Sequence, residues 1–152
     1  MLNESAKRKE KTVNLVICPT SLTYNWLSEI KKFFKNVKAE VIEGSSSISS
    51  DAEILIINYE KVKSHLSQLQ AISFFYIVLD EAHKIKNSKT VVTQSINKLK
   101  SERKLALSGT PLQNKVAELW SLFEFLMPHF LEDESTFNKT YNKYLTANMK
   151  KM

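Results

Sequence analysis

Phe74-Phe75-Tyr76-Ile77-Val78-Leu79, followed at once by Asp80-Glu81-Ala82-His83, is the stretch on which the reading of this chain turns. Its apolar residues are nearly continuous rather than alternating and are rich in β-formers, as a strand covered on both faces requires. Three more short runs, Val13 to Cys18, Ala39 to Ile42 and Ile54 to Ile57, read as strands of the same kind, with a weaker one at Lys104 to Leu107. Helically spaced stripes lie between and after them. Leu22, Trp26, Ile30, Phe33 and Phe34 form the first, with Thr20 or Ser21 as its cap and Lys31, Lys32 and Lys35 facing away. Val91, Val92, Ile96 and Leu99 form the second; Val116, Leu119, Trp120, Phe123, Leu126 and Met127 form the third, which stops at Pro128. Strands alternating with helices predict βαβ units, hence an α/β fold with a mostly parallel sheet and flanking helices. The serine-rich stretch Gly44 to Asp51 reads as a surface loop. Glu134 to Met152 reads as a loosely amphipathic helix with Phe137, Tyr141, Tyr144 and Leu145 inward.

Composition narrows the function classes. The chain has 152 residues, 43% hydrophobic and 25% charged, the balance of one ordinary globular domain. No apolar run reaches the roughly 18 residues that a membrane span needs. Cys18 is the single cysteine, which excludes an intrachain disulfide and any multi-cysteine metal site. Twenty-two basic against sixteen acidic residues leave a net charge of +6, which favours polyanionic partners. Only Gly44 and Gly109 are glycines, so the chain contains neither a Walker A loop nor a G-x-G-x-x-G loop.

The strand ending at Leu79 delivers Asp80 and Glu81 to the carboxyl edge of the sheet, where open parallel sheets bind ligands. In phosphoryl-transfer sites, an acidic residue placed there holds Mg²⁺ and a second orients or deprotonates the attacking water. Asp80 and Glu81 fit those roles. They equally fit a helix cap and a dipole partner for the turn that follows. His83 has the composition of an exposed turn histidine, and Ser108-Gly109-Thr110 before Pro111 has that of a strand-ending turn. Tyr24, Trp26 and the Trp120 stripe read as packing residues, and Cys18 as a buried, inert thiol.

Four segments taken together say more than any one of them. Asp80-Glu81-Ala82-His83-Lys84-Ile85-Lys86-Asn87, then Leu105 to Asn114 with its Ser108-Gly109-Thr110-Pro111-Leu112-Gln113-Asn114, then Glu118-Leu119-Trp120-Ser121-Leu122-Phe123 and Phe125-Leu126-Met127-Pro128, resemble the SNF2 family of DNA-dependent ATPases. Ile17-Cys18-Pro19-Thr20-Ser21-Leu22 with Trp26 resembles that family's motif Ia, and Ile57-Asn58-Tyr59-Glu60 its strand-end S/T-Y segment. The likeness runs from about Val13 to Tyr144. The ending Leu126 to Leu131, with Phe137 and Tyr141, is most similar to the TATA-binding-protein-associated ATPases.

The resemblance implies an incomplete RecA-like first lobe of a two-lobed motor that uses ATP to translocate on double-stranded DNA in the nucleus. It assigns Asp80 to Mg²⁺, Glu81 to water activation, and His83 to a link between the nucleotide and Ser108, Gly109 and Thr110. Pro19, Thr20, Ser21, Lys86, Asn87, Gln113 and Asn114 would follow the DNA backbone, positioning the motor without reading bases. TATA-binding protein or the nucleosome would be the remodelled partner. Residues 1–12 would be a flexible lead-in, 13–131 the partial lobe and 132–152 a truncated helical extension.

Against that pattern, the phosphate loop and its lysine, which relatives carry upstream of motif Ia, are absent from this sequence, as is the second lobe. Without them most of the triphosphate charge would go unneutralised, so the chain alone is expected to be inactive. The missing loop's strand would sit beside the strand near Arg103 to Leu107, so a bare apolar edge and poor solubility are expected. The competing reading is a non-catalytic module that binds DNA or a transcription partner. An RNA helicase of the Asp-Glu-Ala-His class fits less well, because Pro111-Leu112-Gln113-Asn114 and the Trp120 helix are foreign to it.

Overall fold

The computed structural model describes residues 12–44, 48–109 and 116–149. Five strands, β1 (Val13–Cys18), β2 (Ala39–Val41), β3 (Ile54–Asn58), β4 (Phe74–Leu79) and β5 (Ser101–Ala106), form one sheet in the order β2-β3-β1-β4-β5. Every pairing is parallel. The three central strands are the continuous apolar runs, and almost all their residues are buried. A parallel sheet covered on both faces demands this, because neither face of a central strand meets water.

The helices divide between the two faces. On one side lies α1 (Thr23–Phe33), whose Trp26, Leu27 and Ile30 pack on Val16, Cys18, Ile56 and Val78. On the other lie α2 (Leu66–Gln70), α3 (Val91–Asn97) and α4 (Val116–Leu126), with Leu69, Ile96 and Phe125 against Leu15, Ile17, Ile77 and Leu79. The last helix, α5 (Glu134–Met149), packs against α4 through Phe137, and Ser88 Oγ donates to Glu134 Oε2 at 2.8 Å.

Several local expectations need correction. The weak strand begins at Ser101, three residues early, and Leu107 lies beyond it; as an edge strand it carries charged residues that blurred its apolar signal. Neither Thr20 nor Ser21 caps α1, whose N-terminus has no side-chain cap. Thr20–Leu22 instead forms a 3₁₀ turn, and Thr23 Oγ1 donates to the Thr20 carbonyl at 3.0 Å. Phe33 and Phe34, at the C-terminal end of α1, are 66% and 38% exposed. Val91 is exposed at the start of α3, where Thr90 caps by accepting from Thr93 N–H. In α4 the deepest residues are Ser121 and Phe125, neither of them on the expected stripe, while Met127 is exposed. Ser121 is buried because its hydroxyl satisfies the Ile85 carbonyl, which a larger apolar residue could not do. Tyr141 is exposed although its ring lies 4.5 Å from that of Phe137. Tyr144 and Leu145 have side chains outside the described set. The short α2 was not foreseen; at five residues it lacks the length for a readable period.

Among the described residues β5 pairs only with β4, and its other edge has no strand partner. Leu105, aligned with buried Val78, is 43% exposed beside that edge.

Candidate functional site

Because all strands are parallel, β1, β3, β4 and β5 finish on the same edge. Four chain segments therefore meet there: Pro19 to Ser21, Tyr59 to Lys61, Asp80 to Ile85, and Leu107 to Gly109. Backbone bonds hold them in place. Asp80 N–H donates to the Ile17 carbonyl at 2.9 Å, Leu107 N–H to the Leu79 carbonyl at 2.8 Å, and Ala82 N–H to the Leu107 carbonyl at 2.8 Å. The last bond ties the acidic turn directly to the segment leading into Ser108 and Gly109. Thr110, Gln113 and Asn114 lie outside the described residues.

The Asp80 carboxylate is held from two directions. Its Oδ1 accepts from Glu81 N–H at 3.0 Å and its Oδ2 accepts from the Trp26 indole N–H at 2.8 Å. The Asp80 carbonyl accepts from the Tyr59 hydroxyl, also at 2.8 Å. Asp80 does not cap the following turn; Glu81 occupies the cap position and makes no side-chain cap bond. Glu81 adopts left-handed backbone angles, φ 53° and ψ 53°, an uncommon state for a residue with a Cβ. Such strain collects where a side chain must be aimed. Glu81 Oε2 lies 3.2 Å from His83 Nδ1, but it is buried without an aligned hydrogen-bond donor.

Cys18 and Tyr59 sit beneath the same turn. Burial, reinforced by the Asp80 charge, pushes the Cys18 thiol up to about 12, so it stays protonated and inert at neutral pH. The same two causes push the Tyr59 hydroxyl upward, so it remains a donor to the Asp80 backbone. On the α1 side of Asp80 a cleft of 240 Å³ is lined by Leu22, Asn25, Trp26, Glu29 and Asp80.

The donor set suits a hydrated divalent cation. Asp80 keeps unused lone pairs on both oxygens, and Glu81 supplies a buried acceptor without a donor. Among the described residues no group of three or more His, Cys, Asp or Glu side chains converges as a metal cage. Mg²⁺ binds through one or two carboxylates and otherwise keeps water and substrate phosphate oxygens, a role open to Asp80 and Glu81. A triphosphate cradle is a different matter: neither glycine belongs to a phosphate-loop motif.

Pro19 is half-buried at the exit of β1, with Thr20 and Ser21 exposed beside it. Thr20 Oγ1 donates to Glu60 Oε2 at 3.4 Å, joining two of the converging segments. Lys86 and Asn87 are exposed just past the acidic turn, and Asn87 Oδ1 accepts from Lys89 N–H at 3.0 Å. Trp26 and Tyr24 are more than packing residues: Trp26 holds Asp80, and Tyr24, largely exposed, donates to Glu43 at 2.8 Å. A signal for Trp26 was present, since an inward tryptophan brings an N–H that needs an acceptor.

An open parallel sheet carrying an aspartate and a glutamate at the tip of a central strand defines the class, a RecA-like α/β lobe. The family model described as the SNF2-related domain matches residues 1–152, and the chain belongs to that family. It is 38% identical over 141 residues to TATA-binding protein-associated factor MOT1 of Saccharomyces cerevisiae, covering 88% of this chain and 8% of that protein. It is 36% identical to TATA-binding protein-associated factor 172 of Homo sapiens, with the same coverages. With an uncharacterized ATP-dependent helicase of Mycoplasma genitalium it shares 34% identity, over 94% of this chain and 14% of the other. The solved SWI2/SNF2 ATPase core of Sulfolobus solfataricus in complex with double-stranded DNA superposes with a TM-score of 0.82 at 37% identity, covering 90% of this chain and 30% of that one. The chain thus spans 8% to 14% of these curated relatives and 30% of the solved ATPase core.

Proposed function

We propose that this chain is part of the first lobe of an ATP-driven motor on duplex DNA, completed by a phosphate-loop segment and a second lobe. The observation that carries the reading is the 2.8 Å bond from Ala82 N–H to the Leu107 carbonyl, which puts Asp80 and Glu81 on one edge with Ser108 and Gly109. Bound Mg²⁺ would act as a Lewis acid on the phosphate oxygens and neutralise charge that develops there. Asp80 holds that cation, directly or through water. Glu81 orients the attacking water and accepts its proton, and its strained backbone aims the carboxylate. His83, at ion-pair distance from Glu81, is placed to relay the state of that carboxylate toward Ser108 to Thr110. The open edge of β5 is where the phosphate-loop strand is proposed to add.

The DNA track would run over Pro19, Thr20, Ser21, Lys86 and Asn87, with Gln113 and Asn114 continuing it. The double-stranded DNA in complex with the Sulfolobus solfataricus ATPase core supports this choice. The TATA-binding protein-associated relatives support a nuclear location and TATA-binding protein as target, while duplex DNA is supported by the Sulfolobus solfataricus complex. The nucleosome rests on the sequence expectation alone.

Phosphate contacts release counterions, so binding to random duplex should fall steeply with salt. Lys86→Ala should weaken binding uniformly across sequences and reduce the log–log salt slope by about 1. A salt titration of both proteins by fluorescence anisotropy measures this. An unchanged slope makes Lys86 an ordinary surface lysine.

A further inference from the structure

The acidic turn has a partner on a different element. Trp26 lies in the first turns of α1, three residues after Thr23, which is buried and tied to the Thr20 carbonyl at 3.0 Å. Its ring packs beside Leu27 on the cluster of Val16, Cys18, Ile30 and Val78 and borders the cleft at Asp80. From that seat the indole N–H reaches Asp80 Oδ2 at 2.8 Å, across 54 positions of sequence. A neutral donor on a carboxylate makes a charge-assisted bond, stronger and more directional than a neutral pair. It occupies one lone pair of Oδ2, while Glu81 N–H occupies one of Oδ1. The two bonds together fix the carboxylate plane and leave the outward lone pairs for a cation.

We propose that Trp26 is a positioning residue for the Asp80 carboxylate, holding it in the orientation that binds a divalent cation and tethering the cation site to α1. The inference rests on the reading of Asp80 as a cation ligand. Outer partners that orient ligating carboxylates typically contribute about 10- to 100-fold in metal affinity. A phenylalanine at this position keeps much of the packing, losing part of the bicyclic ring together with the N–H.

The test uses the chain itself with Mn²⁺ as probe, following paramagnetic broadening of the Glu81 and Ala82 backbone amide signals. In the unmutated chain these signals should broaden selectively, and Asp80→Asn should abolish the effect. Trp26→Phe should raise the half-broadening concentration about 10-fold or more. A second measurement needs no change at Trp26. The chain has two tryptophans, and the indole N–H of Trp120 donates elsewhere, to the Glu132 carbonyl at 2.8 Å. Diamagnetic Mg²⁺ should therefore move the Trp26 indole signal and leave that of Trp120 in place.

Equal Mn²⁺ response in Trp26→Phe and the parent chain, or tighter binding in the variant, overturns the positioning role while leaving Asp80 as ligand. A still Trp26 indole under Mg²⁺, with Glu81 and Ala82 responding, overturns it equally. Mn²⁺ broadening that survives Asp80→Asn, or none at all, instead removes Asp80 as a cation ligand, and this inference with it.

Discussion

Glu81→Gln, in a protein that joins this chain to a phosphate loop and a second lobe, should lower ATP turnover by about 10²- to 10⁴-fold, the usual contribution of a positioned general base. Nucleotide affinity should stay nearly unchanged. The basis is geometric. Gln preserves the size of the side chain and leaves Asp80, the cation ligand, untouched, but it cannot accept the proton of an attacking water. Glu81 also sits at the tip of a buried strand, with its Oε2 3.2 Å from His83 Nδ1. Single-turnover hydrolysis beside a fluorescent-nucleotide titration separates the two quantities. Turnover equal to that of the parent protein would take Glu81 out of the chemistry.

The largest expected effect on stability lies at Phe125. Its ring is fully buried where α4 meets the sheet, in one cluster with Leu79, Ile85 and Ile96, and the Lys104 ammonium lies 5.0 Å from the ring centre. Phe125→Ala removes the burial and leaves a cavity, a loss of about 3 to 5 kcal/mol. Set against a total stability of about 5 to 15 kcal/mol, this lowers the melting midpoint by roughly 10 °C. Phe33→Ala, at a residue 66% exposed, should change stability by no more than about 0.5 kcal/mol. Thermal melts followed by circular dichroism compare the two. A Phe125 variant as stable as the Phe33 variant would mean that α4 is not anchored by its core face.

What could be read from the sequence, and what could not, follows from how each residue is constrained. Val13–Cys18 and Phe74–Leu79 were legible to the residue, because a central parallel strand must be apolar on both faces and that requirement is local. Ser101–Ala106 was blurred because an edge strand is released from it: Glu102 and Arg103 are exposed and Lys104 only half-buried. The α4 face was misjudged for a related reason. Its deepest position is held by Ser121, whose burial depends on the Ile85 carbonyl thirty-six residues away, and no periodicity of α4 contains that partner. At the site, the convergence of Asp80 and Glu81 with Ser108 and Gly109 followed from parallel topology alone. The bond from Trp26 to Asp80 did not: an inward tryptophan announces an N–H in need of an acceptor, but not that the acceptor lies 54 positions away.

Among the described residues the outer edge of β5 has no strand partner, and Leu105 is 43% exposed beside it. An unpaired strand edge beside apolar surface is a template for another strand. In the proposed motor that strand is the one that leads into the phosphate loop, so the same addition would close the sheet and bring phosphate-binding groups to the edge that already holds Asp80 and Glu81.

The most direct test is phosphate release from ATP by the protein that unites this chain with a phosphate loop and a second lobe, measured with and without random-sequence duplex DNA. A motor should release phosphate slowly without DNA and show a strong, saturable increase with it. DNA binding with no nucleotide hydrolysis, with or without duplex, would contradict that assignment and leave a binding module in place of a motor.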